Sequence, residues 1–426
     1  MTADLLDRVW SDSLIRNAIQ LMSTTAATAG LGYVFWLLAA RLVTPEELGL
    51  GAAITAVATA VSVSVHLGGG MLLVERLPRH EGTAGWWSRL LALAVVEVVA
   101  TVAVAAVAVL VLSDGTAFRG AFAAPLNVFV FVLGTCAWTG TNVLSYAFIS
   151  LRRSGRGLLL NVAVSSAKLL IFGLLTVSGH DAFSVFTSWA LAGTAGVVVG
   201  TALLPWWWGG VSRPDLARSR PAVRREVAAS FCWHHLTSCA GVLVPLLLPV
   251  IVVMRISAAD NAYFYTTWMV GGILLTVSQS VSSSLFAEGS WSATEIRRKM
   301  VTAIRLTAAI LVVPVAVVLA AGGEILRIFG PGFAEHGTVL LLTLVVAAVP
   351  DAVTSLAVAV LRVYRQVRFA AGLNAAMSVL TLAGAWFLLP ATGIVGAGLA
   401  FLVAQALGAV AVMPFLLSFR GAAVRS

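Results

Sequence analysis

The chain has 426 residues, 60% of them hydrophobic and only 11% charged, with a mean hydropathy of +0.98 and a net charge of +9. A water-soluble domain of this length does not carry so apolar a composition, so the solvent is the bilayer. The basic excess, which in a soluble protein points to nucleic acid, here belongs to loops that meet anionic lipid headgroups, and no nucleic-acid partner is expected.

Residues 1–16 are polar, with Asp4, Asp7, Arg8, Asp12 and Arg16, and lack the apolar core and cleavage site of a signal peptide. Apolar stretches of about 20 residues, enough to cross roughly 30 Å of hydrocarbon, then follow in order. The first six are 19–38, 48–67, 90–112, 126–149, 158–177 and 183–204. Six more follow a polar break: 228–254, 262–285, 301–321, 339–360, 370–389 and 394–417. The expected fold is therefore all-α and integral to the membrane, with about twelve transmembrane helices.

Of the 27 Lys and Arg residues, nearly all lie in the terminal segments and in or beside every second loop. Arg41, Arg119, Arg255 and Arg327 occupy the other loops, and Lys168 lies inside an apolar stretch. Basic residues beside membrane spans stay on the cytoplasmic side, so both termini are expected in the cytoplasm of a plasma-membrane protein. The cysteines Cys136, Cys232 and Cys239 all fall within spans. The last two are about 10 Å apart along one helix, too far for a disulfide.

The polar break, residues 206–226, opens with WWWGG and carries two prolines and several arginines, which reads as a cytoplasmic linker with an interfacial aromatic start. It divides the chain into six-helix lobes, 1–205 and 227–426. At an offset near 214 residues, RLVTPEELGL from Arg41 lies over RISAADNAYF from Arg255, with an acid five residues after the arginine in both. Farther on, Arg152, Arg156 and Asn161 find counterparts in Arg362, Arg365, Arg368 and Asn374. Repeats of six spans share one orientation, an arrangement known from transporters whose substrate site lies between the halves.

These residues carry a resemblance. Asn17 before the first span, ARLVTPEELGLGAA, the Gly68 to Gly70 turn and VERLP resemble the start of the polysaccharide flippase family (O-antigen type). DNAYFYTTW, ILRIFGPGF and GIVGAGLAFLVAQ of the second half resemble it too. The family belongs to the multidrug/oligosaccharidyl-lipid/polysaccharide exporter superfamily, whose members are similar in fold to multidrug and toxin extrusion (MATE) proteins. The resemblance implies two pseudo-symmetric lobes and alternating access. It also implies a polyprenyl-diphosphate-linked oligosaccharide as substrate, moved from the cytoplasmic to the outer leaflet for polysaccharide biosynthesis. Membrane lipids, a polysaccharide polymerase and glycosyltransferases are the partners it suggests.

Several residues are candidates for the work. Lys168 sits near the middle of the fifth span, where a cation costs at least ~2.5–3.5 kcal/mol and needs a watery cavity or a partner. Either it lines a substrate cavity or it pairs with Glu97 of the third span. Asp351 follows Pro350 inside the tenth span, at a cavity wall or hinge or as a cap on the helix beyond the proline. Glu97 and Asp351 are also the carboxylates best placed for ion coupling. A polar stripe on the first span (Asn17, Gln20, Thr24, Thr28, Gly32) has counterparts in the seventh (Ser230, His234, Thr237, Gly241) and the eighth (Gly272, Thr276, Gln279, Ser283). Stripes of this sort also serve plain helix packing. Asn17, Gln20, Thr24, His234 and Gln279 join Lys168 as expected cavity residues.

His234 and His235 are adjacent and diverge on a helix, and neither HExxH nor CxxC occurs, so no metal site is expected. No Walker A sequence occurs, and GIVGAG lies inside an apolar span, so no nucleotide cofactor and no catalytic residue is expected. A MATE-type exporter of cationic drugs is the alternative, though its first span would be expected to carry a carboxylate and this one has none. A membrane-embedded polysaccharide polymerase or glycosyltransferase needs a large loop to hold donor and acceptor, and the longest outer connection read here, 322–338, is short and apolar.

Overall fold

The structure, a computed structural model, describes residues 13–76, 84–114, 116–150, 153–178, 183–208, 242–291, 296–364 and 366–421. In lipid every backbone N–H and C=O must be satisfied within the segment, which leaves the helix as the spanning form for apolar stretches of this length. The described residues accordingly form α1 (Ser13–Leu42), α2 (Pro45–Arg76), α3 (Ala84–Asp114), α4 (Pro125–Ser150), α5 (Ser154–Ser178) and α6 (Ser184–Trp208). They continue as α7 (Val242–Arg255), α8 (Ala258–Trp291), α9 (Ile296–Arg327), α10 (Pro331–Val363), α11 (Val367–Thr392) and α12 (Val395–Gly421). A single helical turn, Thr116–Arg119, lies between α3 and α4.

Eleven of these helices are long and apolar enough to cross a membrane. The shorter α7 is the described end of the seventh apolar stretch, whose first part lies outside the described residues, as do Cys232, Cys239, His234 and the linker beyond Trp208. The outer connection expected at 322–338 is corrected by the structure. Helix α9 runs on to Arg327 and α10 starts at Pro331, so only three residues join them. Gly330 makes that tight junction with φ 152°, a conformation L side chains rarely adopt, and Pro331 follows at the first helical turn, where its missing N–H costs nothing.

Two compact units make up the chain. Unit 1 comprises 1–43 and 54–231, and unit 2 comprises 44–53 and 232–426. The first turns of α2 thus belong to unit 2 and the remainder to unit 1. Within unit 1, α4 packs on α3, α5 and α6, while α5 packs on α1 and α6. Within unit 2, α10 packs on α8, α9, α11 and α12, and α11 packs on α12. The α3·α4, α4·α5, α4·α6 and α5·α6 pairs therefore reappear six helices later.

Capping repeats as well. Thr44 Oγ1 accepts from the Glu47 amide over 3.3 Å, and the Thr44 amide donates to the Glu47 carboxylate over 2.9 Å, a reciprocal capping box that starts α2. Ser257 and Asp260 start α8 in the same way: the Asp260 amide donates to Ser257 Oγ over 3.0 Å and that hydroxyl donates to Asp260 Oδ2. These caps lie on the two sequence segments that match at the offset near 214.

Small residues let the helices approach. A side chain on Gly134 of α4 would collide with Ala190 of α6, and one on Gly398 of α12 with Leu340 of α10. Each unit has its own core. Leu73, Leu90, Val143, Phe148 and Leu160 close unit 1, and Val281, Leu285, Ala303, Leu356 and Val360 close unit 2. On α3, Val96, Val99 and Leu110 remain exposed, as an apolar helix flank facing lipid should.

Candidate functional site

Lys168, on α5 in unit 1, has 7% of its surface exposed. Its ammonium lies 3.8 Å from the centroid of the Trp189 ring on α6 and 4.9 Å from that of Phe35 on α1. Those two rings meet nearly at right angles, 79°, with centroids 6.0 Å apart, and so form a corner that takes the cation against two π faces. Phe172, one turn after Lys168, props Phe35 from behind at 5.1 Å, and Trp138 of α4 leans on Trp189 at 5.1 Å. A desolvated cation–π contact is worth about 2 kcal/mol or more. Two of them are enough to offset the ~2.5–3.5 kcal/mol that a mid-membrane lysine costs on insertion scales. Trp189 Nε1 is buried and has no hydrogen-bond acceptor among the described residues.

The pairing of Lys168 with Glu97 is not what the structure shows. Glu97, 3% exposed on α3, is bound instead to His66 of α2, Nδ1 to Oε2, at 2.6 Å. The histidine, which lies inside the second apolar stretch, 48–67, takes the carboxylate in place of the lysine. Helix α2 runs past it to Arg76, and His66 is itself 3% exposed. Around the pair, Thr101 Oγ1 donates to the Glu97 carbonyl over 2.7 Å and lies 3.1 Å from Thr139, whose hydroxyl donates to Ser62 over 3.0 Å. The Tyr146 ring lies 5.0 Å from the imidazole. His66 Nε2 and Glu97 Oε1 have no partner among the described residues.

Asp351 of α10 is 5% exposed, and its Oδ2 has no hydrogen-bond partner among the described residues. The cap reading is overturned, because α10 continues through Pro350 and leaves Asp351 in the helix interior. Its carbonyl accepts from the Thr354 hydroxyl over 3.0 Å, and the same hydroxyl reaches Gln405 Oε1 of α12 over 2.7 Å. The buried Ser278 of α8 is a further neighbour.

The stripe residues are less concentrated than expected. Gln20 is half-buried, with its side chain over Gly155 of α5, and its carbonyl accepts from Thr24 Oγ1 over 2.7 Å. Thr28 makes the same local bond to the Thr24 carbonyl, so these hydroxyls are satisfied on their own helix. Gln279 is exposed on α8 and its carbonyl takes the Ser283 hydroxyl. Asn17 falls on α1, and His234 lies outside the described residues. Apart from the local Thr24–Gln20 bond, no two of the expected cavity or ion-coupling residues are hydrogen-bonded among the described residues. The side chains that the structure adds are Phe35, Trp189 and His66. Only His66, a polar residue at the edge of an apolar stretch, left a signal in the sequence.

No protein-family model matches the chain, and no curated protein matches it in sequence. Solved structures do match its fold. An inward-facing multidrug resistance MATE family transporter of the MOP superfamily aligns with a TM-score of 0.68 at 14% identity, over 96% of this chain and 99% of that one. The lipid II flippase MurJ, in an inward closed conformation, aligns at 0.67 and 11% identity, over 96% and 88%. A MOP superfamily transporter from Pyrococcus furiosus, described by a reversed polarity of its binding pocket that suggests a different function, aligns at 0.62 and 15%, over 97% and 96%. At these identities the likeness is one of fold. The chain has the MATE-like, all-helical membrane fold that drug transporters and a lipid flippase share.

Proposed function

We propose that this protein is a membrane transporter that flips an anionic lipid-linked oligosaccharide, borne on a polyprenyl diphosphate, from the cytoplasmic to the outer leaflet by alternating access. The observation that carries this reading is the pair of donors at Lys168. The ammonium is held by rings and by no carboxylate among the described residues, and Trp189 Nε1 beside it has no acceptor there. A buried cation next to an unpaired N–H suits a phosphate oxygen, which accepts from both. It does not suit a cationic drug. Asn17, Gln20, Thr24, His234 and Gln279 stay proposed as substrate-cavity residues. A polymerase and glycosyltransferases would make and consume such a substrate.

The multidrug exporter is the second reading, and two observations favour it: the buried, partly unpaired Asp351 and the Glu97–His66 pair. Both are groups that an antiporter needs for its coupling ion.

Reconstitution separates the two. Proteoliposomes holding a fluorescent polyprenyl-diphosphate oligosaccharide should expose it to an outside quencher only with the wild-type protein. Lys168→Ala should lower the rate at least tenfold at unchanged protein abundance. Efflux of a cationic dye with no movement of the lipid would overturn the proposal in favour of the exporter.

A further inference from the structure

We infer that the Phe35–Trp189 corner is an organic-cation site which the chain keeps filled with its own Lys168, so that this one side chain sets the sign of charge that unit 1 accepts. The geometry is that of a receptor for alkylammonium groups. Two perpendicular π faces lie 3.8 and 4.9 Å from one ammonium nitrogen. Both rings are fixed from behind, Phe35 by Phe172 at 5.1 Å and by Trp36 at 5.4 Å, Trp189 by Trp138 at 5.1 Å. Phe35, Trp36 and Phe172 are each at most 4% exposed, so the Phe35 wall stays in place when the ammonium leaves, while the half-buried Trp189 is braced by Trp138. Among the described residues no carboxylate shares the corner, and the attraction rests on ring quadrupoles in a nearly water-free setting, where it is strongest.

The occupant is unusual because it is tethered. A lysine on α5 delivers its ammonium at an effective concentration that no free amine reaches, and therefore excludes one. With the ammonium in the corner, an anion approaching the Trp189 N–H sees a positive charge. With it removed, the same rings present only negative π faces, which repel the anion and attract a cation. The inference concerns the site named under the proposed function and rests on that reading only for its biological meaning. Its test is equilibrium binding, and lipid flipping is scored separately, so either can fail alone.

Cutting Lys168 back to alanine deletes three methylenes and the ammonium, and n-propylammonium restores that group. Binding to the purified full-length protein in detergent is measured by calorimetry, with n-propanol as the uncharged match. We expect Lys168→Ala to bind n-propylammonium at least tenfold more tightly than the wild type does, about 1.4 kcal/mol. Lys168→Ala/Trp189→Leu should lose that gain, and Lys168→Met, whose thioether fills the corner, should show none. Equal binding by wild type and Lys168→Ala, or equal binding of the amine and the alcohol, overturns the inference.

Should Lys168→Ala fail to fold, a second measurement decides. Lys168 and Lys299 are the only lysines, so reductive methylation can be followed at each by mass. Trp189→Leu should raise the modification of Lys168 at least threefold relative to Lys299. An unchanged ratio shows that the corner does not hold the ammonium.

Discussion

Asn261 Nδ2 donates to the carbonyl oxygen of Gly49 over 2.7 Å and, with no surface of its own exposed, fastens the first turns of α2 to α8 inside unit 2. The contact requires glycine. A β-carbon at residue 49 would overlap the Ala258 carbonyl and crowd the Ala262 amide. The residues fixed in this way follow the two capping boxes, so sequence punctuation and tertiary contact coincide.

Removing that bond should be costly. Asn261→Ala leaves a buried acceptor without its side-chain donor and is expected to destabilise the protein by ~1–3 kcal/mol. Gly49→Leu should be worse, since backbone has to move. Thermal unfolding in detergent, followed by size-exclusion fluorescence, reads both. A Gly49→Leu variant as stable as the wild type would show that α2 is not held at this point.

The His66–Glu97 pair predicts a double-mutant signature. Replacing either partner by leucine leaves the other buried and unpaired, at a cost of about 3–5 kcal/mol. His66→Leu/Glu97→Leu should cost less than the sum, with a coupling of roughly 0.5–3 kcal/mol. Glu97→Ala should also fail to rescue Lys168→Ala, because the two side chains have different partners. Additive losses in the cycle, or rescue of Lys168→Ala, would contradict the contacts described.

How much of this could be read from the chain depends on the kind of contact. Long apolar runs, the Thr44 and Ser257 caps and the alternating basic loops are local signals, and local chemistry decides them. Lys168 stood out because a charge at mid-span is expensive. Its partners did not stand out, for Phe35 and Trp189 are ordinary residues in a chain with 19 Phe and 13 Trp, and only folding selects two of them. The Glu97 alternative for Lys168 rests on charge alone, and a histidine on a neighbouring span, which hydropathy registers only as a weakly polar residue, takes the carboxylate instead.

Orientation can be tested apart from function. In a variant lacking Cys136, Cys232 and Cys239, a cysteine at Ser113 should react with an impermeant maleimide from outside intact cells. One at Arg218 should react only after permeabilisation. The opposite pattern would invert the expected topology and overturn the proposed cytoplasmic placement of both termini.

The proposed cargo sets an energetic expectation. A diphosphate with two negative charges moving outward across an inside-negative membrane gains ~2.3 kcal/mol per charge per 100 mV, about 4.6 kcal/mol in all. Lipid flipping in proteoliposomes should then rise with a clamped potential and need no proton or sodium gradient. If flipping ignores the potential, requires an ion gradient and stops with Glu97→Gln or Asp351→Asn, the transporter is an antiporter.

The aromatic seat of Lys168 also bears on how the chain is made. Phe35 has left the ribosome long before α5, but Trp189 follows Lys168 by most of a helical hairpin. At about 5–20 residues per second, the lysine waits a second or more for its nearer ring. During that interval its charge has one π face and the translocon to lean on. Helices α5 and α6 are therefore best inserted as a pair, and a delay between them falls on a segment that is poorly suited to lie in lipid alone. A pause in translation after Lys168 has reached the translocon and before Trp189 has followed it would prolong that exposure without altering a single side chain of the finished protein.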